Sequence, residues 1–358
     1  MHKPTALLRW SKALLPAALL LALAGTASAA GYPDRAIKLI VPWAAGGDTD
    51  VIFRPLASLL QKYLGQPVVI ANVGGASGTV GEREAAGAAP DGYTLFGAHD
   101  FIHSVYFGGM IDLKYDKAFE PVCMIASTPS VVTVGAKTSW KSFKELVEDA
   151  KKRPGQIVVG ASLGSTSQYS MAIAAKAAGI KFKYVPYDGT AKRMNALLGG
   201  HIDVGDSNLT QKSKVEAGLL RFLANMSEKR TTGLEDVPTL KELGYNVEYS
   251  VNRGIMVPKG TPPEVIAKLN DACAKATKEP EYAKAMLLQG TEVRYMDPKG
   301  YTEYLKKTDA ETKLVEAMKK TSTMKIDGKS ARGTATSDVY SLDGLSDALA
   351  RIAKECSS

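Results

Sequence analysis

Reactive side chains are scarce in this chain. Its 358 residues hold three cysteines and four histidines. Cys123, Cys273 and Cys356 are widely spaced, so no CxxC pair or zinc-ligand spacing exists, and at most one disulfide can form. Each cysteine is read as structural, without a role of its own. No G-x-S-x-G elbow is present, which removes the commonest exported serine hydrolases. His99 and His103, four apart, would share a face if both lay on one helix. Asp100 stands between them, but no H-E-x-x-H or further ligand follows, so a cavity-lining or structural pair is the better reading. Gly46-Gly47 lacks the lysine and Ser/Thr of a phosphate loop, and no G-x-G-x-x-G follows a strand. Nucleotide cofactors, a metal and a catalytic constellation are therefore not expected. Aromatics make up only 7% of the chain. No run of Lys/Arg interleaved with aromatics appears, which argues against nucleic acid as a partner.

Long apolar runs are confined to the N-terminus. Lys3, Arg9 and Lys12 precede an apolar stretch, Ala13 to Leu23, broken only by Pro16, and Ala27-Ser28-Ala29 offers a cleavage site. That is the pattern of a secretory signal over residues 1–29. The stretch falls short of the about 20 residues that a membrane helix needs, so an exported, soluble, periplasmic protein is expected. The formal charge of +8 loses the three of Lys3, Arg9 and Lys12, leaving +5. A modest basic balance without nucleic-acid features points to acidic small molecules.

What the chain does have is small-residue turns at helix starts. Ile37 to Val41 reads as a buried strand. Pro42, Trp43, Ala44, Ala45 and the Gly46-Gly47 pair then turn it, and Asp48, Thr49 and Asp50 open an amphipathic helix to Tyr63, with Asp48 or Thr49 as its N-cap. First-turn N–H groups and the positive end of the helix dipole make such a turn an anion site. A second turn, Ser162 to Ser167, follows the strand Ile157–Ala161. Its Gly164 bends the chain, and Ser162, Ser165, Thr166 and Ser167 add hydroxyl donors.

Strands and helices alternate throughout: Val68–Ala71, Tyr93–Gly97, Phe119–Ala126, Ser130–Val134, Lys181–Val185, His201–Gly205, Leu219–Ala224 and Val251–Val257 read as strands. Ser142 caps a helix over 143–152, and helices near 263–278, 281–289 and 298–320 follow. This order predicts an α/β fold with a mostly parallel sheet in each of two lobes. Ligands in such sheets bind beyond the carboxyl ends of the strands, so the two turns are expected to face one another across a cleft. Lobe 1 is expected over 30–130 and 250–320, and lobe 2 over 131–249. Residues 321–358 read as a polar linker, Lys325 to Ser337, with a possible amphipathic helix from Ser341 to Lys354.

The motifs, in order, resemble those of the solute-binding proteins of tripartite tricarboxylate transporters, the Bug family. They are Tyr32-Pro33, Ile40 to Asp50, Leu64 to Val69 and Gly75-Ala-Ser-Gly-Thr-Val-Gly81. Ala89-Pro-Asp-Gly-Tyr-Thr-Leu95, Val185 to Gly189, Leu197 to Asp203 and Val257 to Pro262 complete the set, and the resemblance covers residues 32–320. It implies a two-lobed Venus-flytrap receptor in the periplasm, a monomer that binds a small carboxylate and delivers it to a membrane permease. Ala44 to Asp50, with Trp43 before them, and Ser162 with Gly164 to Gln168 would hold the carboxylate. Tyr187 to Gly189 and Ser207-Asn208 would line the cleft, with His103 nearby.

The departures from the family pattern are as informative. His99 and Asp100 stand where a small or hydroxyl residue is usual. Ser207, with Asp206 one place earlier, stands where an aspartate often precedes the asparagine, and Asn252-Arg253 replaces an aromatic pair. A dicarboxylic acid, its far carboxylate paired with Arg253 or His99, is the expected ligand. The alternatives are a sensor that presents its ligand to a membrane kinase and an exported enzyme acting on a carboxylated compound.

Overall fold

The computed structural model describes residues 31–319, 323–329 and 335–341. The signal segment and the helix expected from Ser341 onward lie outside the described residues. The first strand, β1 (Ile37–Val41), is apolar except at Lys38, and its four apolar residues are fully buried, as in a strand covered on both faces. It pairs in parallel with β2 (Val68–Asn72) and β3 (Thr94–His99). The connecting helices are α1 (Asp48–Leu64) and α2 (Thr79–Ala86). Three antiparallel strands complete a six-stranded sheet: β4 (Phe119–Pro129), β10 (Ser250–Pro258) and β11 (Glu292–Met296).

The chain leaves this sheet at Ser130. One residue later β5 (Val131–Gly135) begins in a second sheet, which also holds β6 (Val158–Ala161), β7 (Lys183–Pro186), β8 (Val204–Ser207) and β9 (Leu220–Asn225), in the order β7-β6-β8-β5-β9. The return runs beside the exit. Ser130 N–H donates to the Tyr249 carbonyl (3.0 Å), and Met226 N–H donates to that of Ser130 (2.9 Å). The two crossing segments thus form a paired hinge.

Each sheet is mixed rather than mostly parallel. Parallel pairing is confined to β1 with β2 and β3, and to β6 with β7 and β8. The reason is topological: β4 carries the chain out of the first sheet and β10 brings it back, so they lie antiparallel side by side.

In the second lobe α5 (Phe143–Lys152) begins at Ser142, whose Oγ accepts from Glu145 N–H (3.2 Å). Its apolar face, Phe143, Leu146, Val147 and Ala150, is buried. Two more helices, α6 (Thr166–Ala177) and α7 (Thr190–Leu198), start at the small-residue turns after β6 and β7. In the first lobe α9 (Pro263–Ala276) packs on α1, and α10 (Pro280–Leu288) and α11 (Pro298–Lys319) close the structure. A disulfide, Cys123–Cys273, ties β4 to α9, so these two cysteines have the role not expected of them. Short helices α3 (Phe101–Phe107), α4 (Tyr115–Ala118) and α8 (Lys212–Glu216) carried no sequence signal. In place of the linker, β12 (Thr323–Lys329) and β13 (Ala335–Ser341) form an antiparallel hairpin. The alternation Thr-Met-Lys-Ile-Asp over 323–327 is a strand period that its polar composition obscured.

Candidate functional site

The turn after β1 is braced by its own carboxylates. Asp50, 1% exposed, accepts from Gly46 N–H (2.9 Å), from Arg54 Nε and Nη2 (both 2.8 Å) and from Asn72 Nδ2 (2.9 Å). It holds the turn and does not line the cleft. The α1 N-cap is Gly47, without a side-chain cap. Asp48 is therefore the first helical residue rather than the cap, and its side chain is free to reach the cleft.

There Asp48 meets four donors. Its Oδ1 accepts from Thr49 N–H (2.9 Å) and Thr190 Oγ1 (3.0 Å), its Oδ2 from Arg253 Nη2 (2.7 Å) and Asn208 Nδ2 (2.9 Å). Burial alone would raise its pKa, but Arg253 and Arg193 outweigh burial and hold it below the usual carboxylate range. Arg253, 0% exposed, is equally committed. Its Nε donates to Thr49 Oγ1 (3.3 Å), and its Nη1 to Thr128 Oγ1 (2.8 Å) and the Val251 carbonyl (3.2 Å).

His99 lies opposite Arg253 in the β3–β10 register. Its Nε2 accepts from Trp43 Nε1–H (2.8 Å), an indole that can only donate. The ring is therefore neutral, and burial, reinforced by Arg253, pushes its pKa down to about 3. His99 thus cannot supply the cation expected of it. Asp100 accepts from Asn252 N–H (2.9 Å) and Tyr304 O–H (2.7 Å). Two of the three departures from the family pattern, His99-Asp100 and Asn252-Arg253, about 150 residues apart in sequence, are neighbours in space.

The opposite wall is the N-terminus of α6. Ser162 Oγ accepts from Gly189 N–H (3.0 Å), and Ser167 Oγ from Ser162 N–H (3.0 Å). Gln168 Oε1 takes Gly164 N–H (2.7 Å). Ser165 differs: it is 1% exposed, and its Oγ makes no hydrogen bond within the protein. A buried hydroxyl without a partner is uncommon and calls for one. Thr166 and Ser167, in the first turn, have N–H groups with no intrahelical acceptor, as helix geometry requires.

Arg193, on the inner face of α7, holds its guanidinium beside them through two hydrogen bonds of ordinary length and two longer contacts, its carboxylate partner being the most distant. They are Ser162 Oγ (3.4 Å), Thr190 Oγ1 (3.1 Å), the Asp206 carbonyl (3.2 Å) and Asp206 Oδ2 (3.6 Å). Burial pushes the Asp206 carboxyl up to about 6, against the pull of Arg193. Arg193 is accordingly the cation with most to give to an incoming anion.

These walls enclose a cavity of about 20 Å3, room for about one water. The lobes are shut. Of the residues singled out from the sequence, Trp43, His99, Ser162, Ser165, Thr166, Ser167, Gly189 and Arg253 line it. Asp48, Thr190, Arg193, Asp206 and Val251 complete the lining. Arg193 had a sequence signal, because Thr190, Arg193, Met194 and Leu197 share the buried face of α7.

The remaining candidates stand around the cavity. Ala44 is half-buried and Ala45 and Gly46 are exposed at the rim. Gly47 lies close to Ala191 of the other lobe, and Gly164, at φ +71°, lies under Met110. Tyr187 packs on the Met194–Leu197 cluster. Ser207 Oγ pairs with Thr133 Oγ1 (2.5 Å) inside the sheet, and Asn208 donates Nδ2 to Asp48 while its Oδ1 accepts from Thr210 N–H (3.0 Å). His103 is fully buried against Tyr115 and Asp309, away from the cavity. His99 ends a strand while His103 lies in α3, so their spacing does not place them on one helical face.

Two α/β lobes, a paired hinge and a polar cavity between them define a two-lobed solute-binding protein. The profile of the tripartite tricarboxylate transporter family receptor matches residues 52–322, and the chain belongs to that family. A UPF0065 protein of Cupriavidus necator is 33% identical over 297 residues, 83% of this chain and 91% of that protein. The periplasmic binding protein BugD superposes with a TM-score of 0.75 at 32% identity, covering 79% of this chain and 97% of its own. MatC of Rhodopseudomonas palustris, solved with malate, gives 0.74 at 27%, covering 80% and 100%. A second R. palustris protein, solved with adipate, gives 0.74 at 29%, covering 80% and 97%.

Proposed function

We propose that the mature protein is a periplasmic receptor that closes on a small organic acid and hands it to the membrane permease of a tripartite carrier. The observation that carries this reading is the unpartnered, buried Ser165 hydroxyl at the start of α6, with Arg193 beside it. Hydroxyl, first-turn N–H groups and guanidinium together suit one carboxylate. The malate and adipate held by relatives support an organic acid, and a dicarboxylic one in particular. Here, however, the second carboxylate of such an acid would meet Asp48 already paired with Arg253.

Ligand entry requires the lobes to part, and closure is driven by contacts that exist only in the closed state. Titration calorimetry on wild type and Ser165→Ala tests the anchor. Loss of a hydrogen bond to a charged group should weaken binding by about 10-fold or more. Unchanged affinity in a folded Ser165→Ala protein would rule out the α6 anchor.

A further inference from the structure

The charges in the cleft are already matched on one side. Arg253 is fully buried and spends its guanidinium on Asp48, Thr128, Thr49 and the Val251 carbonyl. Asp48 in turn fills the four acceptor positions of a carboxylate. Two of its donors, Thr49 N–H and Arg253, belong to its own lobe, and two, Thr190 and Asn208, to the other. Parting the lobes strips Asp48 of Thr190 and Asn208 and leaves it the first two. An open cleft therefore presents, on the first lobe, a carboxylate with two unused acceptor positions beside a neutralised arginine. On the second lobe it presents the anion-binding end of α6 and Arg193, whose own carboxylate partner, Asp206, stands 3.6 Å away.

We propose that Asp48 is the specificity determinant of this cleft: it rejects a second ligand carboxylate and selects a monocarboxylate that carries an ammonium or hydroxyl donor. The inference rests on the carboxylate-receptor reading and refines its substrate class. The acid group docks at Ser165 and Arg193, and the donor takes the positions on Asp48 that Thr190 and Asn208 occupy in the shut form. A dicarboxylate of the same length would set its far end against Asp48. Arg253 offsets this little, because its charge is already balanced by Asp48 and four of its five N–H groups are used. An acid in the first turn of α1 thus takes one of the site's two arginines out of anion binding and leaves Arg193 for a single ligand carboxylate.

The test uses straight-chain acids of three to six carbons in three forms, ω-amino, ω-hydroxy and α,ω-dicarboxylic, titrated calorimetrically into wild type, Asp48→Ser and Asp48→Asn. Thermal melts confirm that each protein is folded, and Asp48→Asn keeps the side-chain shape should Asp48→Ser not fold. In wild type, an amino or hydroxy acid should bind at least about 10-fold tighter than the dicarboxylate of equal length. Both variants should lose that preference, with the dicarboxylate gaining about 10-fold or more as Arg253 is released. If wild type binds a dicarboxylate as tightly as the variants do, the role of Asp48 is overturned and the receptor reading stands. If no acid of any form binds wild type or variant, the receptor reading itself fails, and this inference with it.

Discussion

Glu82 sits in α2, fully buried, with neither carboxylate oxygen hydrogen-bonded. Burial pushes its pKa up to about 8, against a weaker pull from Arg83. A carboxyl raised in this way contributes stability that is complete below its unfolded value, near 4.5, and lost as pH rises through 8. Glu82→Gln removes that titration. Thermal melts should show the variant more stable than wild type at pH 8 by roughly 3–4 kcal/mol, the linkage cost of a carboxyl whose pKa is raised from 4.5 to about 8, and the gap should close toward pH 4.5. The cleft residues follow the same physics, and it decided which were legible. Ser165 could be picked out because a hydroxyl at a helix start is conspicuous in sequence, and Arg253 because it departs from the pattern of the family the chain resembles. Asp48 lay within the segment expected to hold the carboxylate, but its own role was not legible, because an acid after a glycine pair reads as an ordinary helix cap. Its real partners, Thr190, Asn208 and Arg253, lie 142 to 205 residues away.

Strands built on apolar β-branched runs, such as β1 and β2, are recoverable from sequence to within a residue or two. So is α5, which has a capping serine and a clear apolar face. The short α3 has neither, and β11, Glu-Val-Arg-Tyr-Met, alternates for only five residues at the edge of its sheet, too short a run to stand out. Strand direction is not written in local pattern at all, which is why both sheets hold more antiparallel pairing than expected.

The loop between β2 and α2 closes the cleft at its rim. Ala76 and Ser77 adopt positive φ, +45° and +57°, a backbone region that non-glycine residues seldom enter. Ser77 Oγ donates to the Leu163 carbonyl (2.7 Å) and its N–H to Asp188 Oδ2 (3.2 Å), both across the cleft. Ser77→Ala loses the first bond in the closed form only. Ligand affinity should fall about 5-fold, the equivalent of about 1 kcal/mol, with the melting temperature of the unliganded protein little changed. In the same lobe, the Cys123–Cys273 disulfide spans 150 residues between β4 and α9. Reduction should cost about 2–5 kcal/mol, seen as a lower melting temperature in reductant.

At the scale of the whole molecule, two glycine-containing turns from different sheets meet across one cavity beside a hinge of two crossing segments. That arrangement was legible in outline, because each turn ends a strand and opens a helix. The charge balance inside it was not, because it depends on which side chains turn inward once the lobes meet. Everything proposed about function rests on a carboxylate entering this cleft. The most direct test is a thermal-shift titration of the mature protein with organic acids and, in parallel, with the primary amides of the same acids. A ligand that binds only the folded state must raise the melting temperature as its concentration passes Kd. At least one acid should give a dose-dependent rise, and its amide none. Equal shifts from acid and amide, or no shift from any acid in folded protein freed of co-purified ligand, would contradict carboxylate binding here.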